Sequence, residues 1–334
     1  MGRSGRPPVP PRGVLSDGRR RPRSGRLLAL AALVLAPASV AVVAWLAVGA
    51  DDHSPPPGNV AAAATPAPPR SVRPAPAQAP EVELSPVDAF FVDLRKPPRA
   101  ALVFDVGSGE VLWHRRPLRV VPIASLTKIM TAIVVTERAR PREPVRITAA
   151  ALRYQGSGVG LLPRGRRVRL ETLLNGLMLV SGNDAAIALA GHVSGTERRF
   201  VRLMNRRARD LGLRCTRFAS SHGLEDGNRS CARDLAVLTR VAMKRPRIRR
   251  IVRRREASFK FPVKGGRLYL YGHNPLIRAG YAGAIGLKTG YTDAAGSCFV
   301  GVVRRGGRAL GVVLLNSRNV PLHSQRLLDA AFRG

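Results

Sequence analysis

Ser125-Leu126-Thr127-Lys128 places a hydroxyl and an amine three residues apart at the start of an apolar, helix-period stretch. One helical turn brings both onto the same face. A serine hydroxyl is a weak nucleophile until a base takes its proton. Lysine can be that base only when neutral, which requires burial or nearby positive charge. The same letters also fit a plain serine cap followed by a good helix former. Ser181-Gly182-Asn183 interrupts a second apolar helical stretch, so a hydroxyl and an amide can point together into a cleft. Lys288-Thr289-Gly290 lies in a strand-like run, where an ammonium and a hydroxyl suit a carboxylate and glycine admits a ligand close to the backbone.

Composition sharpens the first and third motifs. The 334 residues carry 56 basic and 21 acidic side chains, net +35, and only six of the basic residues are lysines. Arginine cannot lose its proton in a protein, so a lysine kept in an arginine-rich chain marks positions where a neutral amine is useful. The arginines are spread over the whole chain, and runs such as 249–255 lack interleaved aromatics for base stacking. They read as a solvated surface, and no specific nucleic-acid partner is expected. Three cysteines exclude a disulfide scaffold, and no C-x-x-C or H-E-x-x-H motif occurs. No metal or cofactor is expected. The histidines form no serine triad, and His114, His192, His273 and His323 lack metal-ligand spacing.

The elements that must position these residues follow from periodicity. Residues 1–26 hold eight arginines among Pro, Gly and Ser, and read as a disordered basic tail on the cytoplasmic side. Residues 27–50 contain no charge, enough for a membrane helix or signal anchor, with Val48-Gly49-Ala50 as a tolerable cleavage site for a signal peptide instead. Basic residues before the span and Asp51-Asp52 after it place the remainder outside the cytoplasm. Residues 51–83 form a Pro/Ala-rich spacer, and 84–334 the folded domain, whose structure begins near Glu81. Strands are predicted over 101–106, 110–115, 258–263, 284–289, 297–304 and 308–315. Helices are predicted over 122–138, around Ser181 within 170–192, and over 197–211, 232–243 and 322–332. Strands at both ends with helices between them indicate an α+β sheet with a helical insertion.

Three motifs in this order resemble those of the low-molecular-weight D-alanyl-D-alanine carboxypeptidases, the S11 serine peptidases. The likeness extends to Leu173–Ala190, Phe218–Leu224 (FASSHGL), Ala232-Arg233-Asp234 and Gly286–Thr292, and covers residues 94–332. The resemblance implies a β-lactamase/transpeptidase-like fold, an antiparallel sheet with flanking helices. It implies Ser125 as the acylated nucleophile, Lys128 as general base and Ser181 as the proton donor to the leaving amine. Asn183 would hold the substrate's peptide carbonyl or side chain and help fix Lys128, and Lys288 and Thr289 would bind the terminal carboxylate, Lys288 also keeping Lys128 electrostatically poised. Gly290 would leave room, and the backbone N–H of Tyr291 would join that of Ser125 in an oxyanion hole. The implied partners are peptidoglycan stem peptides and, as covalent inhibitors, β-lactams.

His222 is expected to be structural rather than catalytic. Cys215 and Cys231 could pair, leaving Cys298 free, although a buried small residue at 231 is equally compatible. Tyr291 departs from the family pattern after K-T-G, which bears on deacylation. The chain ends soon after its last strands, so the N-terminal span is expected to anchor it in place of a C-terminal domain. A serine β-lactamase would need a Glu after Ser181. Glu171-x-x-Leu174-Asn175 precedes that position and reads as helix surface. A D,D-endopeptidase would use the same residues.

Overall fold

The computed structural model describes residues 80–334 except Pro86 and Lys264. The expected tail, the 27–50 span and nearly all of the spacer lie outside the described residues. Among the described residues no helix is long and apolar enough to cross a membrane. Packing begins at Val82, which is buried, and Glu83 bridges to Glu110.

The hydrophobic runs at the two ends of the domain close into one sheet. Strands β1 (Ala100–Asp105) and β2 (Val111–Arg115) form the expected hairpin. Four short strands follow in two pairs. Val121–Pro122 (β3) pairs with Arg229–Ser230 (β6), and Pro144–Arg146 (β4) with Arg167–Arg169 (β5). Glu256–Lys260 (β7) pairs with Arg267–Tyr271 (β8). The sequence predicted one strand near β7, and the R-L-Y-L-Y alternation of β8 completes a hairpin there. Ala284–Thr292 (β9), Gly296–Arg305 (β10) and Arg308–Leu315 (β11) complete a five-stranded antiparallel sheet in the order β2-β1-β11-β10-β9.

Alternation along the strands serves two cores, because both faces of the sheet are covered. Leu102, Phe104, Val300, Val302 and Val313 face the main helical core, whereas Ala101, Val103, Phe299, Val312 and Leu314 face the opposite side. This explains why β1 and β11 read as continuous apolar runs. The helices of the insertion are α1 (Lys128–Arg138), α2 (Ala149–Leu152), α3 (Leu170–Leu179), α4 (Asn183–Ser194), α5 (Glu197–Asp210), α6 (Ala232–Met243), α7 (Pro246–Val252) and α8 (Pro275–Arg278). The last helix, α9 (Val320–Arg333), covers the second face.

Helix α1 is buried from Lys128 to Val135 and packs among α3, α4, α5, α6 and α7. A helix enclosed on all sides gives its first turn little freedom. The residues before it, Ala124–Thr127, form a 3₁₀ turn rather than part of one continuous helix over 122–138. Ser125 therefore sits in that turn and Lys128 opens α1.

Three further features tie the insertion together. Cys215 and Cys231 form a disulfide, and Cys298 is free and buried. Arg240 on α6 donates to the carbonyls of Val106 and Gly107, at 3.0 and 2.6 Å, and to that of Glu81. One guanidinium thus clamps the β1–β2 turn and the entry of the chain. Glu171 pairs with Arg247, but Leu174 and Asn175 are buried, so only the first residue of E-x-x-L-N lies at the helix surface.

Candidate active site

The side chain of Lys128 is completely buried at the mouth of the 3₁₀ turn. Its Nζ stands 2.9 Å from Ser125 Oγ, 2.7 Å from Asn183 Oδ1 and 2.7 Å from the carbonyl oxygen of His222. The orientation of the Asn183 amide is fixed, because its Nδ2 donates to the Gln155 carbonyl at 2.6 Å. Two of the three partners of Lys128 can therefore only accept. A neutral amine has two N–H bonds, which match those two oxygens and leave its lone pair for the Ser125 hydroxyl. Burial and the positive charge of Lys288 push the Lys128 pKa well below that of an ordinary lysine, against a weaker pull from Asp184 and Glu225. Geometry and electrostatics both favour an amine able to take a proton from Ser125.

The backbone around the serine is constrained. Ala124 has φ +47°, a left-handed conformation uncommon for a residue with a side chain. The loop carrying His222 presses on it, since a Cβ on Gly223 would strike the Ala124 carbonyl. The same loop is held from two sides. Ser221 donates from its N–H and hydroxyl to Glu197 Oε1 at 2.9 and 2.6 Å, and its carbonyl accepts from Thr131 Oγ1 of α1 at 2.6 Å.

Ser181 and Asn183 lie where α3 ends and α4 begins. Ser181 is buried with φ +62°, the bend that separates the two helices. Asp184 is also buried, and its carboxylate accepts from the N–H groups of Val159, Gly160 and Ala185 at 2.9, 3.0 and 2.7 Å. That carboxylate fixes the 155–160 loop, whose Gln155 and Ser157 carbonyls in turn hold the side chain and N–H of Asn183.

The third motif arrives on β9, at the free edge of the sheet. Lys288 is buried, its Nζ donates to the Thr289 carbonyl at 2.9 Å, and burial pulls its pKa down to about 7. Gly290 packs flat against the 3₁₀ turn. A Cβ there would lie 3.0 Å from Ser125 N and 3.2 Å from the Ile123 carbonyl. The fold therefore brings the Ser125 N–H alongside β9.

Ser125, Lys128 and Asn183 are directly hydrogen-bonded, Lys288 acts on Lys128 through its charge, and Gly290 touches the serine backbone. Ser181 shares the Asn183 junction but, among the described residues, makes no hydrogen bond to Ser125 or Lys128. Thr289 is half-buried on β9. The Tyr291 side chain turns outward, its hydroxyl donating to Asp293 at 3.0 Å. Sequence reasoning missed the His222 carbonyl, the Asp184 bracket and the Gln155 carbonyl. The S-G-N-D run and the S-S-H-G loop were the available signals. Among the described residues Cys215, Cys231 and Asp234 have metal-like proximity, but both sulfurs are spent in the disulfide.

Comparison with known proteins accords with this geometry. D-alanyl-D-alanine carboxypeptidase DacF of Bacillus subtilis is 32% identical over 243 residues, covering 70% of this chain and 62% of that protein. A D-alanyl-D-alanine endopeptidase of Pseudomonas aeruginosa is 35% identical over 202 residues, covering 60% of this chain and 65% of that protein. The chain thus spans less than two thirds of the length of either. The crystal structure of a D-alanyl-D-alanine carboxypeptidase from Mycobacterium tuberculosis superposes with TM-score 0.67 at 31% identity, over 77% of this chain and 96% of that one. The fold is accordingly the expected antiparallel sheet with flanking helices. Residues 95–319 match the family model of peptidase S11, described as D-alanyl-D-alanine carboxypeptidase. With its serine, lysine and asparagine meeting in one buried cluster beside β9, the chain belongs to peptidase family S11.

Proposed function

We propose that this protein is a serine-type D-Ala-D-Ala carboxypeptidase that removes the terminal D-alanine from peptidoglycan stem peptides. The observation that carries this reading is the buried, proton-poor Lys128 with its lone pair available to Ser125. Lys128 takes the hydroxyl proton as Ser125 Oγ attacks the carbonyl of the penultimate D-alanine. The N–H groups of Ser125 and Tyr291 receive the developing oxyanion, a contribution of about 10²–10³ per donor. The C–N bond breaks, Ser181 delivers a proton to the departing amine, and water then hydrolyses the ester. Asn183 holds both Lys128 and the substrate carbonyl. Lys288 and Thr289 bind the free carboxylate, which gives the preference for a chain end.

β-Lactams enter the same route, the strained amide acylating Ser125. The P. aeruginosa relative favours one second reading, cleavage of cross-links by the same residues. The uncharged 27–50 segment supports anchoring by a single N-terminal span, with the catalytic domain outside the cytoplasm. Intact mass after incubation with benzylpenicillin tests the acyl-enzyme. A mass gain of one penicillin, lost in Ser125→Ala, is expected, and no gain in the native protein overturns the reading. Free D-alanine released from a pentapeptide, compared with cleavage of cross-linked muropeptides, separates the two activities.

A further inference from the structure

The arginines of this chain are spread widely, but one cavity collects cations alone. A groove of about 670 Å³ lies between β5 and the β7–β8 hairpin and reaches Thr172 of α3. Arg167 and Arg169 line it from β5, and Lys260 and Arg267 from the hairpin. Among the described residues no carboxylate lines it. Arg167 and Arg169 are exposed on either side of buried Val168, so they share one face of the strand, roughly 6.7 Å apart. Lys260 and Arg267 face each other across the hairpin, with Cβ atoms roughly 5 Å apart. Arg267 Nη2 donates to Ser258 Oγ at 2.9 Å, which holds that guanidinium along the exposed face.

Like charges set directly opposite on paired strands repel. The central sheet contains such a pair, Arg305 opposite Arg308, and there each has its own carboxylate, Asp329 at 3.2 Å and Asp105 at 3.5 Å. Among the described residues neither Lys260 nor Arg267 has one, and neither do Arg146 and Arg167, which oppose each other across β4–β5. Glu256 lies on the same hairpin but at its far end, opposite Tyr271. The repulsion is left for a bound anion to relieve. A single small anion reaches one pair, whereas four cations on two separate strand pairs call for several negative groups in a row.

The groove is also tied to the catalytic junction. β5 runs straight into α3 at Leu170, and β8 continues to His273, whose N–H donates to the Leu179 carbonyl at 3.2 Å in the last turn of α3. The ten residues of α3 set the groove roughly 15 Å from the bend at Ser181. A polymer held there and cleaved at the serine is gripped at two points, which raises the local concentration of its peptides.

We propose that this groove binds a linear polyanion, a chain of phosphodiester groups attached to the cell-wall polymer whose peptides the enzyme trims. Successive phosphates lie against the Arg167–Arg169 pair and the Lys260–Arg267 pair. That the chain belongs to the wall rests on the peptidase reading, whereas the grip on its phosphates does not.

The test uses the full chain in detergent micelles and synthetic poly(glycerol phosphate), with binding followed by isothermal titration calorimetry over a salt series. The polymer is expected to bind tighter than glycerol phosphate, at equal phosphate concentration, by about tenfold or more. Log affinity is expected to fall linearly with log salt concentration. Arg167→Gln with Arg169→Gln is expected to weaken binding about tenfold, and Lys260→Gln to lower the salt slope by about one. Arg202→Gln with Arg206→Gln on α5 removes the same charge outside the groove and is expected to change affinity by less than about twofold. All five positions are exposed, so the substitutions leave packing intact. Equal affinity for polymer and glycerol phosphate, an equal loss in the α5 variant, or tighter binding of a thymidine oligonucleotide of equal charge overturns the proposal. Benzylpenicillin acylation is measured on the same preparation. Acylation without polymer binding overturns the groove assignment alone. Polymer binding without acylation overturns the peptidase reading, and with it the assignment of the chain to the cell wall.

Discussion

Ser125 Oγ and Lys128 Nζ stand 2.9 Å apart, with carbonyl oxygens occupying the other two directions of the amine. An arginine at 128 cannot give up a proton and does not fit the three-point cradle. Lys128→Arg is expected to slow acylation by benzylpenicillin by about 10²–10⁴. Stopped-flow acylation kinetics on folded protein, verified by circular dichroism, check this.

Lys288 supplies the pH dependence. Its pKa of about 7 belongs to the free protein, so the ammonium is present below that value and lost above it. A carboxylate ligand needs the ammonium. The kcat/KM for a peptide with a free C-terminus is expected to fall with one alkaline limb near pH 7, the limb reporting free enzyme. The same peptide with an amidated C-terminus is expected to lack that limb. A pH–rate series on both peptides decides.

Gly290 sets how closely β9 approaches the nucleophile. Gly290→Ala puts a methyl 3.0 Å from Ser125 N, so the strand or the turn must move. The expected cost is about 1–3 kcal/mol of stability, by analogy with overpacked cores. Acylation is expected to slow about tenfold or more, because the oxyanion donor is displaced. Denaturant unfolding and penicillin acylation measure the two effects separately.

Arg240 is one arginine whose work is structural. Arg240→Lys cannot serve three carbonyls from one planar head. A loss of about 2–4 kcal/mol is expected by urea unfolding, with the acylation rate of the remaining folded protein little changed.

The Cys215–Cys231 disulfide closes a loop of 16 residues that contains the FASSHGL stretch. Its removal in Cys215→Ser is expected to cost about 3 kcal/mol. Differential scanning calorimetry with and without reductant checks this, and the two curves should coincide for the variant.

What the sequence displays of this site is the part carried by side chains close together in the chain. Ser125 and Lys128 are one turn apart, Ser181 and Asn183 share one bend, and Lys288 to Gly290 lie on one strand. The strands of the five-stranded sheet and the longer helices were legible for the same reason, since each follows from a local period, whereas the short strands β3–β6 and β8 and the short helices α2, α7 and α8 show too few residues to display one. The His222 carbonyl escaped because a backbone oxygen has no residue signature and Lys128 lies 94 positions away. Asp184 escaped because its role is to receive N–H groups from a loop 24 and 25 residues earlier. The break of 122–138 into a turn and a helix also escaped. Gly223 presses on Ala124 from another part of the fold, and tertiary contact there overrides local helix propensity.

The enclosure of Lys128 and Lys288 also governs how the protein can be handled. Lys96, Lys244 and Lys260 are exposed and lie outside the cluster, whereas the two functional amines are shut inside. Amine-directed fluorophores or resin linkers should couple at the surface positions first, yielding tethered protein whose interior nucleophile is still open to solution reagents.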